Sequence, residues 1–235
     1  MSDSGKIYLV PTPIGNLGDI TERALRALND SDLIACEDTR KSGRLLAHFN
    51  IKKKLVSYHD FNETKKAERL IEKAREGKVI SIITDAGTPG ISDPAYRIIR
   101  EAIENNIPLI PLPGPSAVLP ALTGSGLPLD RFFFEGFLSN KSSARRKRLD
   151  ALKDIEHTLI FYESPHRIAK MINDCLEILG NRQACIAREL TKMHEEFIRS
   201  NLNEINVTLK NRKLKGEIVV VIAGIGKSER KSREK

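Results

Sequence analysis

Short apolar runs alternate with amphipathic segments through the first half of the chain, and this alternation limits the folds that are possible. The runs predict strands at residues 6–10, 32–36, 55–58, 79–84 and 107–112. Between them, residues 21–28 and 63–75 repeat apolar side chains at helical spacing. Strands alternating with helices typically form a mostly parallel sheet that is covered on both faces. The first half is therefore predicted to be an α/β domain.

The second half shows a similar alternation after a change in sequence texture at residues 127–131. Apolar runs predict strands at 132–137, 158–162, 184–188 and 217–223, and helical spacing covers 144–152 and 167–179. With 235 residues, the chain is long enough for two cores. We expect α/β domains at residues 1–125 and 126–226, and a basic, disordered tail at 227–235, which contains no apolar residue.

Charge is unevenly distributed between the two halves. The chain has 39 Lys and Arg against 31 Asp and Glu, a formal net charge of +8. Residues 1–130 contain 17 basic and 17 acidic side chains, so the whole excess lies in residues 131–235. This asymmetry favours a polyanionic partner for the second half. Its densest basic cluster, at 141–148, can release counterions from phosphates, although a solvated helix start would show the same pattern.

Several classes of protein are disfavoured by simple features. The opening residues have neither a basic region nor an apolar stretch of the kind found in signal peptides. The longest apolar run, 218–225, is too short to span a membrane. Cys36, Cys175 and Cys185 lack the spacing of a metal site, so we expect reduced, buried thiols, no metal and a cytoplasmic protein.

Gly, Pro, Ser and Thr are concentrated directly after three of the predicted strands, in loops at 11–16, 85–94 and 113–117. In open α/β sheets, ligands bind beyond the carboxyl ends of the strands. Glycine lets the backbone approach a ligand closely, and proline stiffens a loop. The three segments predict a rigid pocket lined by backbone groups. The chain contains neither a complete dinucleotide fingerprint nor a Walker phosphate loop.

Six motifs carry a resemblance to a known family. In chain order they are PTPIGNLGDIT (11–21), ACEDTR (35–40), TDAGTPGISDP (84–94), PLPGPSA (111–117), FYESPHR (161–167) and RELTK (188–192). The set resembles the tetrapyrrole-methylase-like enzymes that use S-adenosylmethionine, in particular the branch called ribosomal RNA small subunit methyltransferase I. The likeness covers residues 6–225.

The resemblance implies two α/β domains with S-adenosylmethionine in the cleft between them, and a homodimer. The three loops at 11–16, 85–94 and 113–117 are therefore named the donor loops. It also implies methylation of the 2′-hydroxyl of a cytidine in the decoding region of 16S rRNA, within the small ribosomal subunit. Carried over position by position, the donor contacts fall on Pro13, Gly15, Asp85, Gly87, Thr88, Pro89, Ile91, Ser92, Ser116, Ala117, Phe161, Tyr162, Arg188, Glu189, Leu190, Thr191 and Gly216.

A ribose hydroxyl is a weak nucleophile, and a base that removes its proton can accelerate attack by roughly 10²–10⁴-fold. Glu37 and Asp38 follow a predicted strand and are our first candidates, although they could instead cap a helix that starts near Lys41. Other candidate bases near strand ends are His59, Asp85 and His166. The residues expected to contact RNA are Arg40, His59, Arg145, Arg146, Lys147, Arg148, His166 and Arg167.

Two other functions stay open at this point. A methyltransferase for a small tetrapyrrole would have similar donor loops, but a small carboxylated substrate needs only a few cations. A non-catalytic, basic RNA-binding protein would explain the charge, but simple phosphate binding does not require three Gly- and Pro-rich loops.

Overall fold

The computed structural model describes residues 5–58, 63–93 and 95–226, with only the backbone described at 63–65. The chain divides into two compact units, residues 1–116 and 117–235. Each unit contains one five-stranded sheet.

The sheet of the first unit is entirely parallel, in the order β3-β2-β4-β1-β5. Its strands are β1 (Lys6–Leu9), β2 (Leu33–Cys36), β3 (Lys54–Ser57), β4 (Val79–Ile82) and β5 (Leu109–Pro111). Its helices are α1 (Glu22–Asp30), α2 (Thr39–His48), α3 (Glu63–Arg75) and α4 (Tyr96–Glu104). Because the strands are parallel, all five carboxyl ends lie at one edge, and the donor loops follow the neighbouring strands β1, β4 and β5.

Both faces of this sheet are covered by helices. Ile7 and Ile80 lie in a core with side chains of α3 and α4. The alternate residues Val10 and Ile34 lie in a second core with side chains of α1 and α2. This division follows from the two-residue period of a strand, and it confirms the α/β class predicted from the sequence.

The second unit has a mixed sheet in the order β6-β7-β10-β8-β9. Its strands are β6 (Phe132–Phe137), β7 (Thr158–Glu163), β8 (Gln183–Arg188), β9 (Glu196–Asn201) and β10 (Ile218–Ile222). Its helices are α5 (Val118–Ser125), α6 (Ser142–Leu152), α7 (Ile168–Leu179) and α8 (Leu202–Asn211). β6 and β7 pair in parallel, whereas β10 is antiparallel to both β7 and β8. The carboxyl ends of β6, β7 and β8 therefore share an edge with the amino end of β10.

The division between the units differs from the one expected at residue 125. Helix α5 packs against β8, β9 and β10, and the contacts therefore assign it to the second unit. At the closest point, Gly124 lies against the ring of Phe197 on β9. The expected tail at 227–235 lies outside the described residues. None of the helices in the described part of the chain is long and apolar enough to cross a bilayer.

Candidate donor and substrate site

Direct hydrogen bonds join the three donor loops of the first unit. Thr12 and Gly87 exchange two backbone hydrogen bonds of 2.9 Å each. The Thr12 hydroxyl also donates to the carbonyl of Thr84 at 3.2 Å. The Thr88 hydroxyl donates to the carbonyl of Pro115 at 2.9 Å. These bonds connect residues far apart in the chain and hold the three loops together at one edge of the sheet.

Two backbone features add to this rigidity. A Cβ atom at Gly114 would lie 2.7 Å from Cβ of Pro11, so only glycine allows these loops to approach each other. Ser92 has a φ of +67°, an uncommon conformation for a residue other than glycine. Such strain persists where the surrounding structure over-determines it, commonly at ligand sites.

Three of the residues predicted to contact the donor line one cavity of about 410 Å³ in the first unit: Pro13, Gly15 and Asp85. Helix α2 contributes another wall of this cavity. The remaining predicted donor residues of the first unit lie on the same donor loops but outside the cavity lining: Gly87, Thr88, Pro89, Ile91, Ser92 and Ser116. Ala117 occupies the N-cap position of α5, in the second unit.

Asp85 is bound to the beginning of α2. Its Oδ2 lies 2.7 Å from Nζ of Lys41, and its Oδ1 accepts a hydrogen bond of 3.3 Å from the amide of Asp38. The hydrogen bond from Lys41 to Asp85 is the main reason that the pKa of Lys41 is raised. As a candidate base, Asp85 already has both carboxylate oxygens engaged by protein donors.

Asp38 caps α2, which is the alternative that the sequence left open. Its Oδ1 accepts a hydrogen bond of 2.8 Å from the amide of Arg40. Its Oδ2 lies 2.9 Å from Nη2 of Arg40, whose side chain is otherwise exposed. The hydrogen bond from the Arg40 side chain, followed by that from the Arg40 amide, lowers the pKa of Asp38 to about 2. A carboxylate with this pKa is poorly matched to removing a proton near neutral pH.

Glu37, the other carboxylate of the pair, lies half-buried between β2 and α2. It does not occupy the capping position that engages Asp38. His59, a further candidate base and RNA contact, lies outside the described residues. The adjacent carboxylates therefore occupy different environments, although their sequence positions made them equivalent candidates.

Phe161 and Tyr162 were both expected to contact the donor, and the structure separates their side chains. The ring of Phe161 is completely buried in the core beneath α6 and α7. Tyr162 points to the opposite face of the sheet, where its ring packs edge-on against Phe134 with centroids 5.0 Å apart. Neighbouring residues of a strand cannot present both side chains to one face. The ring of Phe161 is therefore not exposed to a ligand, whereas that of Tyr162 is partly exposed, and the donor contacts expected at both positions stay predictions.

Burial also changes the proton affinity of Tyr162. The pKa of its phenol is raised to about 12 because burial disfavours the charged form. The hydroxyl group therefore stays protonated at neutral pH and can act only as a neutral hydrogen-bonding group or packing surface.

The loop after β8 is clamped to the chain before β10. Arg188 donates to the carbonyls of Lys215 and His194, each at 3.0 Å. Oε1 of Glu189 accepts from the amide of Glu217 at 3.0 Å and from Nζ of Lys192 at 2.9 Å. The contact with Lys192 is the main reason that the pKa of Glu189 is lowered.

Gly216 allows this clamp to close. Its φ is +86°, and a Cβ atom there would overlap the carboxylate of Glu189. Glu189 and Thr191 themselves have φ values of +50° and +66°. Leu190 between them is buried. Four of the predicted donor residues thus form one strained, tightly held loop contact.

Thr191 provides an observation that fits a bound polar ligand. Its Oγ1 is buried and has no hydrogen-bond partner among the residues that the structure describes. A buried hydroxyl without a partner is energetically costly and commonly marks a place where a ligand or water completes the site. Its amide is already satisfied by Oε2 of Glu195 at 2.6 Å.

The three arginines of the basic cluster at 141–148 are bound to carboxylates of the protein. Arg145 is buried against Asp174. Arg146 contacts the same carboxylate at 2.9 Å and Glu177 at 2.6 Å. Arg148 forms two hydrogen bonds of 2.7 Å with Glu135. The two lysines, Lys141 and Lys147, are exposed and have no ion pair with a described residue.

Arg167 also points inward. Its Nε lies 3.1 Å from Oε1 of the buried Glu163, and its Nη2 donates to the carbonyl of Leu138. Arg145 donates to the next two carbonyls, Ser139 and Asn140, at 3.3 Å each. Two predicted RNA contacts therefore hold the loop between β6 and α6. His166, one residue before Arg167, is exposed.

Arg44 and His48 are cavity-lining residues that the sequence analysis did not select. Together with Lys41, they recur at three- and four-residue spacing along α2, which places them on one face of the helix. This spacing is visible in the sequence. However, α2 lacks a strong apolar pattern and was considered only as a possible capped helix.

Among the side chains that the structure describes, no group of three or more His, Cys, Asp and Glu residues is arranged to hold a metal ion. Cys36, Cys175 and Cys185 are buried free thiols, as the sequence predicted.

Comparison with known sequences assigns the chain to a family. The family model described as Tetrapyrrole (Corrin/Porphyrin) Methylases matches residues 6–206. A protein from Halalkalibacterium halodurans is 48% identical over 95% of this chain and 78% of its own length. One from Vibrio cholerae is 50% identical over 93% of this chain and 77% of its own length. Both are named ribosomal RNA small subunit methyltransferase I.

Solved structures agree with the fold. Uroporphyrin-III-C-methyltransferase from Thermus thermophilus covers 98% of both chains with a TM-score of 0.65 at 22% identity. Diphthine synthase covers 94% of this chain and 90% of its own, with a TM-score of 0.73 at 17% identity. The chain therefore belongs to the tetrapyrrole methylase family and, within it, to the group named ribosomal RNA small subunit methyltransferase I.

Proposed function

We propose that this protein transfers the methyl group of S-adenosylmethionine to the 2′-hydroxyl of a cytidine in the decoding region of 16S rRNA. The observation that carries the proposal is 48–50% identity, over nearly the whole chain, to proteins named for methylation of small subunit ribosomal RNA. The cytidine and the ribose hydroxyl are inferred from the six-motif resemblance.

The donor supplies an activated methyl group on a sulfonium, so the protein's main task is alignment. Holding two reactants in line can lower a barrier by roughly 7–11 kcal/mol. The hydrogen bonds between the donor loops and the clamp from Glu189 to Gly216 supply the rigidity that alignment requires. We assign donor contacts to these loops and a polar contact to the hydroxyl of Thr191.

We assign removal of the ribose proton to Glu37 rather than to Asp38. Asp38 uses its carboxylate to cap α2 and to bind Arg40, and its pKa of about 2 makes it a weak base. Glu37 is half-buried beside it. In this assignment, Asp38 is a positioning residue that holds α2 next to the cavity.

RNA binding in the second unit is assigned to the exposed part of the basic cluster. Lys141 and Lys147 are free to meet phosphates, while the three arginines between and beside them are bound to carboxylates. His166 is exposed in the neighbouring loop and completes this proposed surface. We further propose, from the family resemblance, that the enzyme is a cytoplasmic homodimer that acts on the assembled small subunit.

Mass spectrometry of nucleosides tests the proposed function. Small subunits from cells that lack the protein should be missing one 2′-O-methylcytidine in the decoding region. Purified protein with S-adenosylmethionine should restore it, whereas heat-inactivated protein should not. Unchanged methylation in the deleted strain, or methyl transfer only to a tetrapyrrole, would overturn the proposal.

A further inference from the structure

One face of helix α2 presents three nitrogen-bearing side chains to the same cavity. Lys41, Arg44 and His48 all line the space of about 410 Å³ that Pro13 and Gly15 also line. All three α2 residues are exposed to solvent. From Lys41 to His48 the helix rises by about 10 Å, at 1.5 Å per residue. The cavity is therefore bordered by a stripe of hydrogen-bond donors next to the first donor loop.

The stripe keeps a net positive charge. Asp85 is the one acidic residue in the described lining, and it is bound by Lys41 at 2.7 Å. Arg44 forms no ion pair with any carboxylate in the part of the chain that the structure describes. The ring of His48 packs edge-on against Phe49, with centroids 4.8 Å apart. An incoming anion would thus find Arg44 available and Lys41 restrained beside it.

We propose that this face of α2 binds the phosphodiester backbone of the RNA substrate, with Arg44 as the principal phosphate contact. The planar guanidinium offers two parallel N–H donors that match a phosphate. A stripe of about 10 Å is longer than a single phosphate group and can face more than one phosphate of a strand. A ligand with several anionic groups in a row matches such a stripe better than a single carboxylate does.

This inference rests on the proposed function, because it assumes that the substrate is RNA. It adds a phosphate contact in the first unit. The net charge of this unit is close to zero, so the charge distribution alone did not predict RNA binding there. The contact would hold a nucleotide near Pro13 and Gly15, which line the same cavity. The alternative source of an anion is the carboxylate of the methyl donor, and the experiment separates these two cases.

The test measures affinity for a 16S rRNA fragment containing the decoding region, and for small ribosomal subunits, at several salt concentrations. Arg44→Ala should weaken binding several-fold. The negative slope of log affinity against log salt should become shallower by about 0.7, the value for one single-strand phosphate. Arg44→Lys should keep most of the slope because it keeps the charge. Arg69→Ala is the matched control: Arg69 is exposed on α3, which packs on the opposite face of the sheet.

Calorimetry with S-adenosylmethionine is the second readout. Donor affinity should be the same for Arg44→Ala as for the unsubstituted protein. An unchanged salt slope, an equal effect of Arg69→Ala, or a loss confined to donor affinity would overturn the inference. Because RNA binding is measured without methyl transfer, salt-dependent binding through Arg44 in a protein that does not methylate RNA would refute the proposed function and leave this contact standing.

Discussion

Arg145 and Asp174 form an ion pair in which Nη2 lies 2.6 Å from Oδ2, and their side chains are only 6% and 9% exposed. The pair joins α6 to α7 on the inner side of the second unit. Nη1 of Arg145 also donates to the carbonyls of Ser139 and Asn140. A charge at this depth needs its partner, because an unpaired buried charge is strongly unfavourable. Arg145 therefore stabilises the fold and is not available to bind RNA.

Replacing Arg145 should thus destabilise the protein strongly. We expect Arg145→Ala to lower the free energy of unfolding by up to about 3–5 kcal/mol, the usual cost of removing one member of a buried pair. The loss is reduced to the extent that Arg146 still contacts Asp174 at 2.9 Å. Lys147→Ala, on the same helix but exposed, should change it by less than about 0.5 kcal/mol. Urea denaturation of both variants measures the difference. Equal midpoints would show that the buried pair contributes little.

We expect the exposed lysines to be the main RNA contacts of the basic cluster, because the neighbouring arginines are already bound to carboxylates. In the double variant Lys141→Ala and Lys147→Ala, the negative slope of log RNA affinity against log salt should become shallower. The change should be up to about 1.4 if each lysine contacts one single-strand phosphate. Stability should stay near that of the unsubstituted protein. The same binding assay with Arg44→Ala reports on the other proposed surface. A slope unaffected by the double variant would remove α6 from the RNA interface.

The two adjacent carboxylates should respond differently in methylation assays. Glu37→Gln should reduce kcat by roughly 10²–10⁴-fold, the usual contribution of a general base. Asp38→Asn should retain most activity, because Asn also caps a helix well. Calorimetry with S-adenosylmethionine checks that both variants still bind the donor. Full activity in both would end the assignment of a base to this pair.

Asp38 should also leave a signature in the acid range of stability. Its pKa is lowered to about 2 from an ordinary 3.8, so its charge stabilises the folded state fully above pH 3.8. This contribution is lost as the pH falls from 3.8 through about 2. The difference in free energy of unfolding between the protein and Asp38→Asn should be constant from neutral pH to about 4 and shrink below it. If the difference in free energy of unfolding changes near neutral pH, Arg40 is not the group that lowers the pKa of Asp38.

Gly216 should tolerate no side chain. Gly216→Ala introduces a Cβ atom that overlaps the Glu189 carboxylate, at a φ of +86°. We expect a loss of at least about 1–3 kcal/mol in stability from backbone strain alone, and weaker binding of S-adenosylmethionine. Adding Glu189→Ala should relieve the overlap but not the strain. Gly226→Ala, where no atom lies within 4 Å, is the control.

Local patterns in the sequence predicted much of the fold. The helix at Glu63–Arg75 and the strand at Phe132–Phe137 have the same bounds in the structure as in the prediction. In both segments, the local residue types are enough to indicate the secondary structure. By contrast, β9, α4 and α8 were not predicted. The residues of β9 and α8 are only partly apolar, so packing rather than local preference determines their structure. Helix α4 does repeat apolar residues at helical spacing, and this local signal was missed.

The donor loops could be recognised because Gly and Pro act locally on the backbone, and the order of the six motifs made the family visible before any coordinates. The amino-acid sequence could not show which polar side chains are already bound by the protein. Arg145 is bound to a carboxylate 29 residues away, and Asp38 caps a helix. The ring of Phe161 lies in a core, whereas that of Tyr162 lies on the opposite face of the sheet. Long-range packing determines each of these outcomes, because the free energy of a charged or aromatic side chain depends on the groups that surround it after folding. The net charge of +8 was therefore a property of the sequence, whereas the cations left free for RNA depend on the tertiary structure.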